Sequence, residues 1–198
     1  MADTSKTVLM MGNPNVGKSA LFNRLTGGDA VVSNYPGTTV DYTKGVLVVS
    51  GQEYEVIDAP GTYSLEARDA AEDVAVRLIV ENPDAAILVV LDATRVERGL
   101  YLALEVIERG CPVIIALNMI DAARDRQIVV DIRVLQKILG VPVVPTSAVS
   151  GEGVRDLAEM LRKAQKADIE KVRARADGRF DEPARSGECA GCGLCGGC

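Results

Sequence analysis

Short runs of apolar residues alternate along this chain with segments in which apolar residues recur at helical spacing. The runs predict buried strands and the periodic segments predict amphipathic helices. Their alternation is typical of βα units on a mostly parallel sheet. The predicted strands span residues 7–11, 44–50, 54–58, 85–91, 112–117 and 141–145. The predicted helices span residues 20–25, 65–81, 96–109, 131–139 and 154–175.

Two stretches depart from this pattern. Residues 29–41 are polar and rich in turn-forming residues, and they predict a mobile loop. From Ala176 onward the apolar content falls, and the composition predicts disorder unless a metal or a partner orders the segment. We therefore expect an α/β domain over residues 1–175, with a mostly parallel six-stranded sheet flanked by helices, and a flexible tail over residues 176–198.

Composition narrows the class of protein. The 198 residues are 47% hydrophobic and 25% charged, which suits one globular domain plus a tail. A net charge of −6 disfavours a nucleic-acid partner. Neither a membrane-spanning run of about 20 apolar residues nor a secretory signal is recognisable, so we expect a cytoplasmic protein. Histidine is absent, so no imidazole can serve as a base or a metal ligand.

The most informative motif lies between the first predicted strand and the first predicted helix. It fits the pattern G-x-x-x-x-G-K-[ST], a loop whose backbone N–H groups surround the phosphates of a nucleotide. The motif consists of Gly12, Asn13, Pro14, Asn15, Val16, Gly17, Lys18 and Ser19. The helix that opens at Ala20 would direct its N-terminal amides at the phosphate. Lys18 is expected to reach the β- and γ-phosphates and the Ser19 hydroxyl to bind Mg²⁺, whereas a simple helix-capping loop is the alternative.

A second candidate lies at the end of the predicted strand over residues 54–58. Asp58 is followed there by Ala59, Pro60 and Gly61. A carboxylate at this end of a strand, beside the phosphate loop, can hold Mg²⁺. The Gly61 N–H can bond the γ-phosphate and so sense its loss. The same residues also make ordinary turns, so their position one hairpin after the phosphate loop carries the prediction.

Two later segments predict the base. Asp121 follows Asn118 and Met119 at the end of a buried strand. Its carboxylate can accept hydrogen bonds from N1–H and the N2 amino group of guanine, a pattern that adenine does not offer. Asn118 is expected to brace this loop, and after the last strand come Ser147 and Ala148, with the Ala148 N–H expected to point at guanine O6. The segments together predict a protein that binds GTP and GDP.

Several further strings resemble one protein family. Beside the phosphate loop, these strings occupy residues 34–40, 58–65, 90–93, 99–102 and 117–121. Over about residues 6–166 the chain resembles the N-terminal G domain of the ferrous iron transport protein B family, and the string Pro-Gly-Thr-Tyr-Ser-Leu is specific to it. The resemblance implies a Ras-like P-loop NTPase fold and GTP hydrolysis linked to Fe²⁺ uptake.

The resemblance also implies two metal ligands. In that family the loop matching residues 34–40 is switch I, and its second threonine, Thr39 here, ligates Mg²⁺. Thr38 is the neighbouring alternative. Asn15 matches the asparagine that ligates K⁺ in potassium-activated GTPases, where the cation supplies the positive charge that an arginine finger brings elsewhere. The alternative is that Asn15 only holds the shape of the loop.

Catalysis is expected to be slow. Gly61 is followed by Thr62, where Ras-like enzymes carry a water-orienting glutamine, so positioning and cations are expected to supply most of the rate. Met119 stands in place of the lysine of the commoner guanine motif, as in the resembled family, and predicts weak binding and rapid GDP release. The residues assigned to catalysis are Asn15, Lys18, Thr39 and Gly61.

The helical and membrane domains of the resembled family have no counterpart in these 198 residues. The chain alone is therefore not expected to move an ion. We interpret it either as a stand-alone or excised G domain, or as a protein that acts on a partner, for which a membrane iron permease at the inner face of the cell membrane is the candidate.

The chain ends with four cysteines at three-residue spacing: Cys189, Cys192, Cys195 and Cys198. Consecutive C-x-x-C units of this kind can bind Zn²⁺, Fe²⁺ or an iron–sulfur cluster. No neighbouring apolar residues would shield such a group, so an exposed tail without metal is the alternative. Cys111, at the start of a buried strand, is expected to be an inert core residue.

Two other functions remain open from the sequence. One is a metal- or redox-responsive GTP-binding regulatory module that uses the tail cysteines. The other is a ribosome-assembly GTPase, because several such enzymes share the phosphate-loop string. The acidic charge and the lack of a basic face disfavour the second function.

Overall fold

A seven-stranded sheet forms the centre of the protein in a computed structural model, which describes residues 6–178. The strands lie in the order β2-β3-β4-β1-β5-β6-β7, and all neighbours are parallel except the pairs β2–β3 and β3–β4. The strands are β1 (Lys6–Gly12), β2 (Ala30–Asn34), β3 (Asp41–Val49), β4 (Gln52–Asp58), β5 (Ala86–Asp92), β6 (Val113–Asn118) and β7 (Val143–Pro145).

Helices cover both faces of the sheet. They are α1 (Lys18–Thr26), α2 (Ala70–Glu81), α3 (Val96–Glu108), α4 (Ile120–Asp125), α5 (Ile132–Leu139), α6 (Val154–Met160) and α7 (Ile169–Ala176), with a 3₁₀ turn at Leu161–Lys163. Successive side chains of a strand point to opposite faces. In β1, Leu9 and Met11 therefore pack towards α2, α3, α5 and α7, whereas Val8 and Met10 pack towards α1 and α6.

The predicted α/β architecture is confirmed, but the sheet has seven strands where six were expected. The additional strand is β2, which lies inside the segment predicted as a mobile loop and pairs with β3 from Ala30–Gly45 to Asn34–Asp41. Val31 and Val32 of this edge strand are both 66% exposed. Because neither face of β2 is buried, the strand lacks the apolar alternation by which a sequence predicts one.

Two of the predicted helices differ most from the structure in their bounds. The helix predicted from residue 65 begins at Ala70, where the Asp69 carboxylate caps the Glu72 N–H. The final helix, predicted as continuous, ends its α-helical part at Met160 and restarts at Ile169. Between these two helices Gln165 exchanges two backbone hydrogen bonds with Val113 (2.8 and 3.1 Å), a pairing that a continuous helix could not make.

The sheet topology decides where the functional segments lie. Strands β1, β4, β6 and β7 run in the same direction, so their carboxyl ends meet at one edge of the sheet. Ligands of open α/β sheets bind in the crevice outside this edge. All four segments that predict a nucleotide follow these four strands. Within residues 6–178, no helix is both long and apolar enough to cross a membrane.

Candidate functional site

The glycine loop joins β1 to α1 and borders a cavity. Asn15 and Gly17 take left-handed conformations (φ 67° and 79°), and Gly17 caps the start of α1. The cavity has a volume of about 380 Å³. The residues that line it are Asn13, Pro14, Asn15, Gly17, Lys18, Ser19, Ala20 and Gly61. The structure thus brings the predicted phosphate loop and the predicted γ-phosphate sensor to one cavity.

The Lys18 side chain meets Asp58 beside this cavity. Its ammonium group donates to a carboxylate oxygen of Asp58 and to the Ala59 carbonyl. The Ser19 hydroxyl donates to the other carboxylate oxygen of Asp58 (2.9 Å). Lys18 and Asp58 are both buried, so each charge is balanced by the other in surroundings where an isolated charge would be costly. A cation and a hydroxyl from α1 therefore converge on a carboxylate at the end of β4.

The segment after Asp58 lies directly against the glycine loop. The Thr62 N–H donates to the Gly12 carbonyl (3.1 Å), which brings Gly61 to the cavity wall. Asn13 is buried, and its amide donates to the Arg98 carbonyl (3.0 Å). The Asn13 amide oxygen and the Thr62 hydroxyl are buried without a hydrogen-bond partner among the described residues. The Asn13 amide nitrogen thus ties the phosphate loop to α3. It does not face the cavity.

Asn118 connects the glycine loop with the segment after β7. Its amide nitrogen donates to the Val16 carbonyl (2.9 Å), and its amide oxygen accepts from the Ala148 N–H (3.0 Å) and the Thr146 hydroxyl (3.3 Å). All of these contacts are buried. A single amide therefore bridges two predicted segments, as expected of a bracing residue. The Ala148 N–H was predicted to point at guanine O6, but in this structure it donates to Asn118.

Met119 and Asp121 lie where α4 begins, a helix that the sequence analysis did not predict. Met119 has a left-handed conformation (φ 61°) and precedes the helix. A Cβ at Gly17 would lie 3.4 Å from the Met119 Cε atom, so the methionine reaches the glycine loop. Asp121 occupies the first turn of α4 and is half-buried. The Ser147 N–H donates to the Glu152 carbonyl (2.9 Å) and closes the neighbouring loop.

Residues 35–40, predicted as part of switch I, form a turn anchored by Tyr35. Tyr35 is buried, and its hydroxyl donates to the Glu81 carboxylate of α2, a hydrogen bond that raises the pKa of Tyr35. The Thr38 hydroxyl donates to the Tyr35 carbonyl (3.0 Å) and accepts from the Val40 N–H (3.2 Å). Thr39 stands exposed on the turn. Thr38 is thus engaged within the turn, and the Mg²⁺ role of Thr39 stays a prediction.

Several side chains that hold the site were not singled out from the sequence. Glu72 of α2 accepts from the Ser64 hydroxyl and the Arg68 N–H (both 3.0 Å). Glu105 and Arg109, from α3 and its C-terminal end, bond the N–H and the carbonyl of Leu65 (2.7 and 2.8 Å). The acidic residue three positions after the Asp69 cap is a capping signal that could have identified Glu72. No short sequence pattern could have identified the contacts of Glu105 and Arg109 with Leu65.

Of the five cysteines, Cys111 alone lies within the described residues. Cys111 is half-buried against the core, and desolvation raises the pKa of its thiol, which favours the unreactive form. This agrees with the expected inert role. The four tail cysteines lie outside the described residues, and their metal site stays a prediction. Within residues 6–178, no group of three or more Cys, Asp or Glu residues could hold a metal ion.

Comparison with known proteins identifies similar sequences. A model of the family described as ferrous iron transport protein B matches residues 6–161. The chain is 39% identical over 155 residues to the Fe(2+) transporter FeoB of Salmonella typhimurium. That match covers 76% of the chain and 20% of the transporter, so the chain spans about a fifth of the length of the curated relatives it matches.

Solved structures agree with this match. The cytosolic domain of L. pneumophila FeoB is 38% identical, with a TM-score of 0.79 over 83% of the chain and 66% of that domain. The G domain of the T. maritima FeoB iron transporter is 40% identical, with a TM-score of 0.75 over 81% and 98%. The T. maritima cytosolic domain in GMPPNP form is 42% identical, with a TM-score of 0.76 over 80% and 63%. The predicted P-loop G-domain fold is confirmed.

Proposed function

The chain belongs to the ferrous iron transport protein B family, and from that membership we propose that it binds guanine nucleotides, hydrolyses GTP slowly and takes part in ferrous iron transport. The observation that carries the proposal is the convergence of Lys18, Ser19 and Asp58 at the glycine-loop cavity. This combination of a cation, a hydroxyl and a carboxylate suits a nucleoside polyphosphate with its metal ion.

The glycine loop and the N-terminus of α1 are the proposed phosphate site. Lys18 would bond the β- and γ-phosphates, and the amides of Ser19 and Ala20 would point at them from the first turn of the helix. Gly61, at the cavity wall, would donate its N–H to the γ-phosphate. Asp121 would accept from guanine N1–H and N2, while Asn118 keeps the loops that carry Ser147 and Ala148 in register.

Mg²⁺ fits the donors present at the phosphate end. The Ser19 hydroxyl lies 2.9 Å from the Asp58 carboxylate, and both are hard oxygen donors of the kind this ion prefers. Ser19, Asp58 and, from switch I, Thr39 would hold the ion. When bound, Mg²⁺ would neutralise charge on the phosphate oxygens.

K⁺ is the proposed second cation, and Asn15 its protein ligand. Asn15 lines the cavity with an exposed side chain, and its amide oxygen is a suitable donor for this ion. K⁺ would add positive charge near the phosphates. Asn15, Lys18, Thr39 and Gly61 would then position the reacting groups, since Thr62 is buried and supplies neither a carboxamide nor a base to orient water.

The link to iron and the cell membrane rests on the family. The matched relative is named as an Fe(2+) transporter, and we propose that this chain acts with a membrane iron permease on its cytoplasmic side. We propose a G domain over residues 1–175 and a separate tail over residues 176–198. If the cysteines of that tail bind Zn²⁺, Fe²⁺ or a cluster, the protein would respond to metal through the tail.

Binding of fluorescent GDP and release of phosphate from GTP test the nucleotide function. We expect saturable GDP binding, no competition by ADP, loss of hydrolysis in EDTA, and faster hydrolysis in KCl than in NaCl. Asp121→Asn is the matched variant, because an amide there suits the carbonyl of xanthine in place of the guanine amino group. It should weaken GDP binding and strengthen XDP binding.

Each outcome addresses a separate part of the proposal. Equal competition by ADP and GDP would contradict guanine recognition. Equal hydrolysis rates in KCl and NaCl would remove the role of K⁺ at Asn15. Hydrolysis that persists at the same rate in EDTA would remove the Mg²⁺ site at Ser19 and Asp58.

A further inference from the structure

An arginine of α1 holds the loop that follows β7, which we call the base loop (residues 146–153). The Arg24 Nε atom donates to the Ala148 carbonyl (2.9 Å), and Nη2 donates to the Val149 carbonyl (2.7 Å). Arg24 and Ala148 are 124 positions apart in the chain. A planar guanidinium with donors in fixed directions thus bonds two consecutive peptide carbonyls of the base loop.

The Ala148 peptide group is held from both sides. Its carbonyl accepts from Arg24, and the Ala148 N–H donates to the Asn118 amide oxygen (3.0 Å). Asn118 in turn donates to the Val16 carbonyl of the glycine loop (2.9 Å). The hydrogen bonds therefore run without a gap from α1 through the base loop to β6 and back to the glycine loop.

Helix α1 links the two ends of the proposed nucleotide site. Lys18 is its first residue, and Arg24 lies in its last turn. Six residues of α-helix correspond to about 9 Å along the axis, at about 1.5 Å per residue. One rigid element thus carries a phosphate ligand at its N-terminus and the contact with the base loop near its C-terminus.

We propose that Arg24 is a positioning residue for the guanine base, an inference that rests on the nucleotide binding proposed above. By holding the carbonyls of Ala148 and Val149, it keeps the base loop closed beside Asn118 and slows the release of GDP. Arg24 contacts the loop and not the proposed phosphate or metal ligands. It therefore acts on nucleotide dissociation and leaves the chemical step unchanged.

Stopped-flow dissociation of fluorescent GDP from the full chain tests this role. We expect Arg24→Ala to release GDP about five- to tenfold faster than the wild type, since it loses two hydrogen bonds from a charged donor. Arg24→Lys, which can still donate to one carbonyl, should give an intermediate rate. The single-turnover rate of phosphate formation should be the same in all three proteins.

Arg155→Ala is the matched control. Arg155 lies in α6 next to the base loop, is 90% exposed, and pairs within its own helix with Glu159. This variant should release GDP at the wild-type rate. Thermal unfolding without nucleotide checks that each variant is folded, and if Arg24→Ala is not, Arg24→Gln and Arg24→Lys carry the comparison.

The outcomes separate this inference from the proposed function. Equal GDP release from the wild type and the Arg24 variants would overturn the inference while leaving nucleotide binding intact. A single-turnover rate that falls as much as the release rate rises would also overturn it, because Arg24 would then act on the reaction. A wild-type chain that binds no GDP would instead contradict the proposed function itself.

Discussion

The candidate site has a phosphate end around Lys18 and Asp58 and a base end around Asn118. Different kinds of interaction hold the two ends together. At the phosphate end two opposite charges, Lys18 and Asp58, meet with side chains only 10% and 7% exposed. At the base end a neutral amide, Asn118, makes three buried hydrogen bonds to two separate segments. Both ends are anchored by residues at the carboxyl edge of the sheet.

The difference suggests how each end contributes to stability and to binding. A buried ion pair gains little net stability over apolar groups, because desolvation offsets its attraction, but its ammonium and carboxylate suit a phosphate and a metal ion. A buried amide whose donor and acceptor are both satisfied fixes the geometry of the segments it joins. We therefore expect substitutions at both ends to affect folding, and those at the phosphate end to affect ligand affinity most.

The largest expected effect is that of Lys18→Ala on nucleotide affinity. Removal of the ammonium group would take away the charged hydrogen bonds that we propose to the phosphate oxygens, so we expect GDP affinity to fall by about 100-fold or more. Isothermal titration calorimetry with GDP and MgCl₂ measures this change. Lys44→Ala is the control, because Lys44 pairs with Glu55 near the surface and should leave GDP affinity unchanged. A Lys18 variant within threefold of the wild type would contradict the assignment of the phosphate end.

The next largest effect is expected for Asn118→Ala on the free energy of unfolding. The substitution leaves the Val16 carbonyl and the Ala148 N–H buried without partners, which should cost about 2–4 kcal/mol. Urea denaturation measures the loss. Asn82→Ala, which removes one side-chain bond to the Leu78 carbonyl (2.8 Å), is the control and should cost about 1 kcal/mol. Equal losses of unfolding free energy for both variants would show that the hydrogen bonds of Asn118 contribute no more to stability than the single bond of Asn82.

Gly17→Ala probes the contact between the two ends. A Cβ there would lie 2.5 Å from the Asn118 amide nitrogen, and Gly17 is left-handed (φ +79°). Gly27 has a similar φ (+71°) with nothing within 4 Å of its added Cβ, so Gly27→Ala measures the backbone cost alone, about 1 kcal/mol. Gly17→Ala should cost about 1–3 kcal/mol more in urea denaturation.

A double-mutant cycle sharpens that comparison. If the extra cost of Gly17→Ala comes from the Asn118 amide, it should largely disappear in an Asn118→Ala background, because the clashing group is gone. Additive losses of unfolding free energy would mean that the added Cβ clashes with a group other than the Asn118 amide. The Gly27→Ala variant should remain additive with Asn118→Ala, since the two sites share no contact.

The smallest effect is expected for Arg124→Ala. Arg124 of α4 pairs with Glu152 of the base loop (2.9 Å), but both side chains are largely exposed. Exposed pairs of this kind contribute little to stability, and salt screens them. Urea denaturation at low and high salt should give a small loss that vanishes at high salt. A loss as large as that of Asn118→Ala would mean that exposed charges, and not the buried amide, hold the base end.

The glycine loop could be predicted from sequence alone because consecutive residues determine it. Gly17 tolerates the left-handed conformation that starts α1, and Lys18 and Ser19 follow it on the helix. The apolar runs of β1, β5 and β6 were predicted for a similar reason, since strands covered on both faces are nearly continuous in apolar residues. In these places the local pattern and the tertiary environment agree.

Elsewhere the tertiary environment overrode the local pattern. Residues 65–69 show helical spacing but do not form a helix, because Leu65 is bonded from α3 by Glu105 and Arg109, 40 and 44 positions away. The break after α6 depends on pairing between Gln165 and Val113. Strand β2 exists only because β3 offers it an edge. None of these partners can be found from a local window of sequence.

For this protein the sequence by itself determined the alternation of buried strands and helices, the glycine loop and the residue types that suit a guanine nucleotide. Their chemistry and spacing are properties of neighbouring residues. Only the tertiary structure decided that Asn118 bonds Val16 and Ala148, and that Arg24 holds the base loop. Such bonds join residues 102, 30 and 124 positions apart, and the folded sheet alone brings those groups within hydrogen-bonding distance.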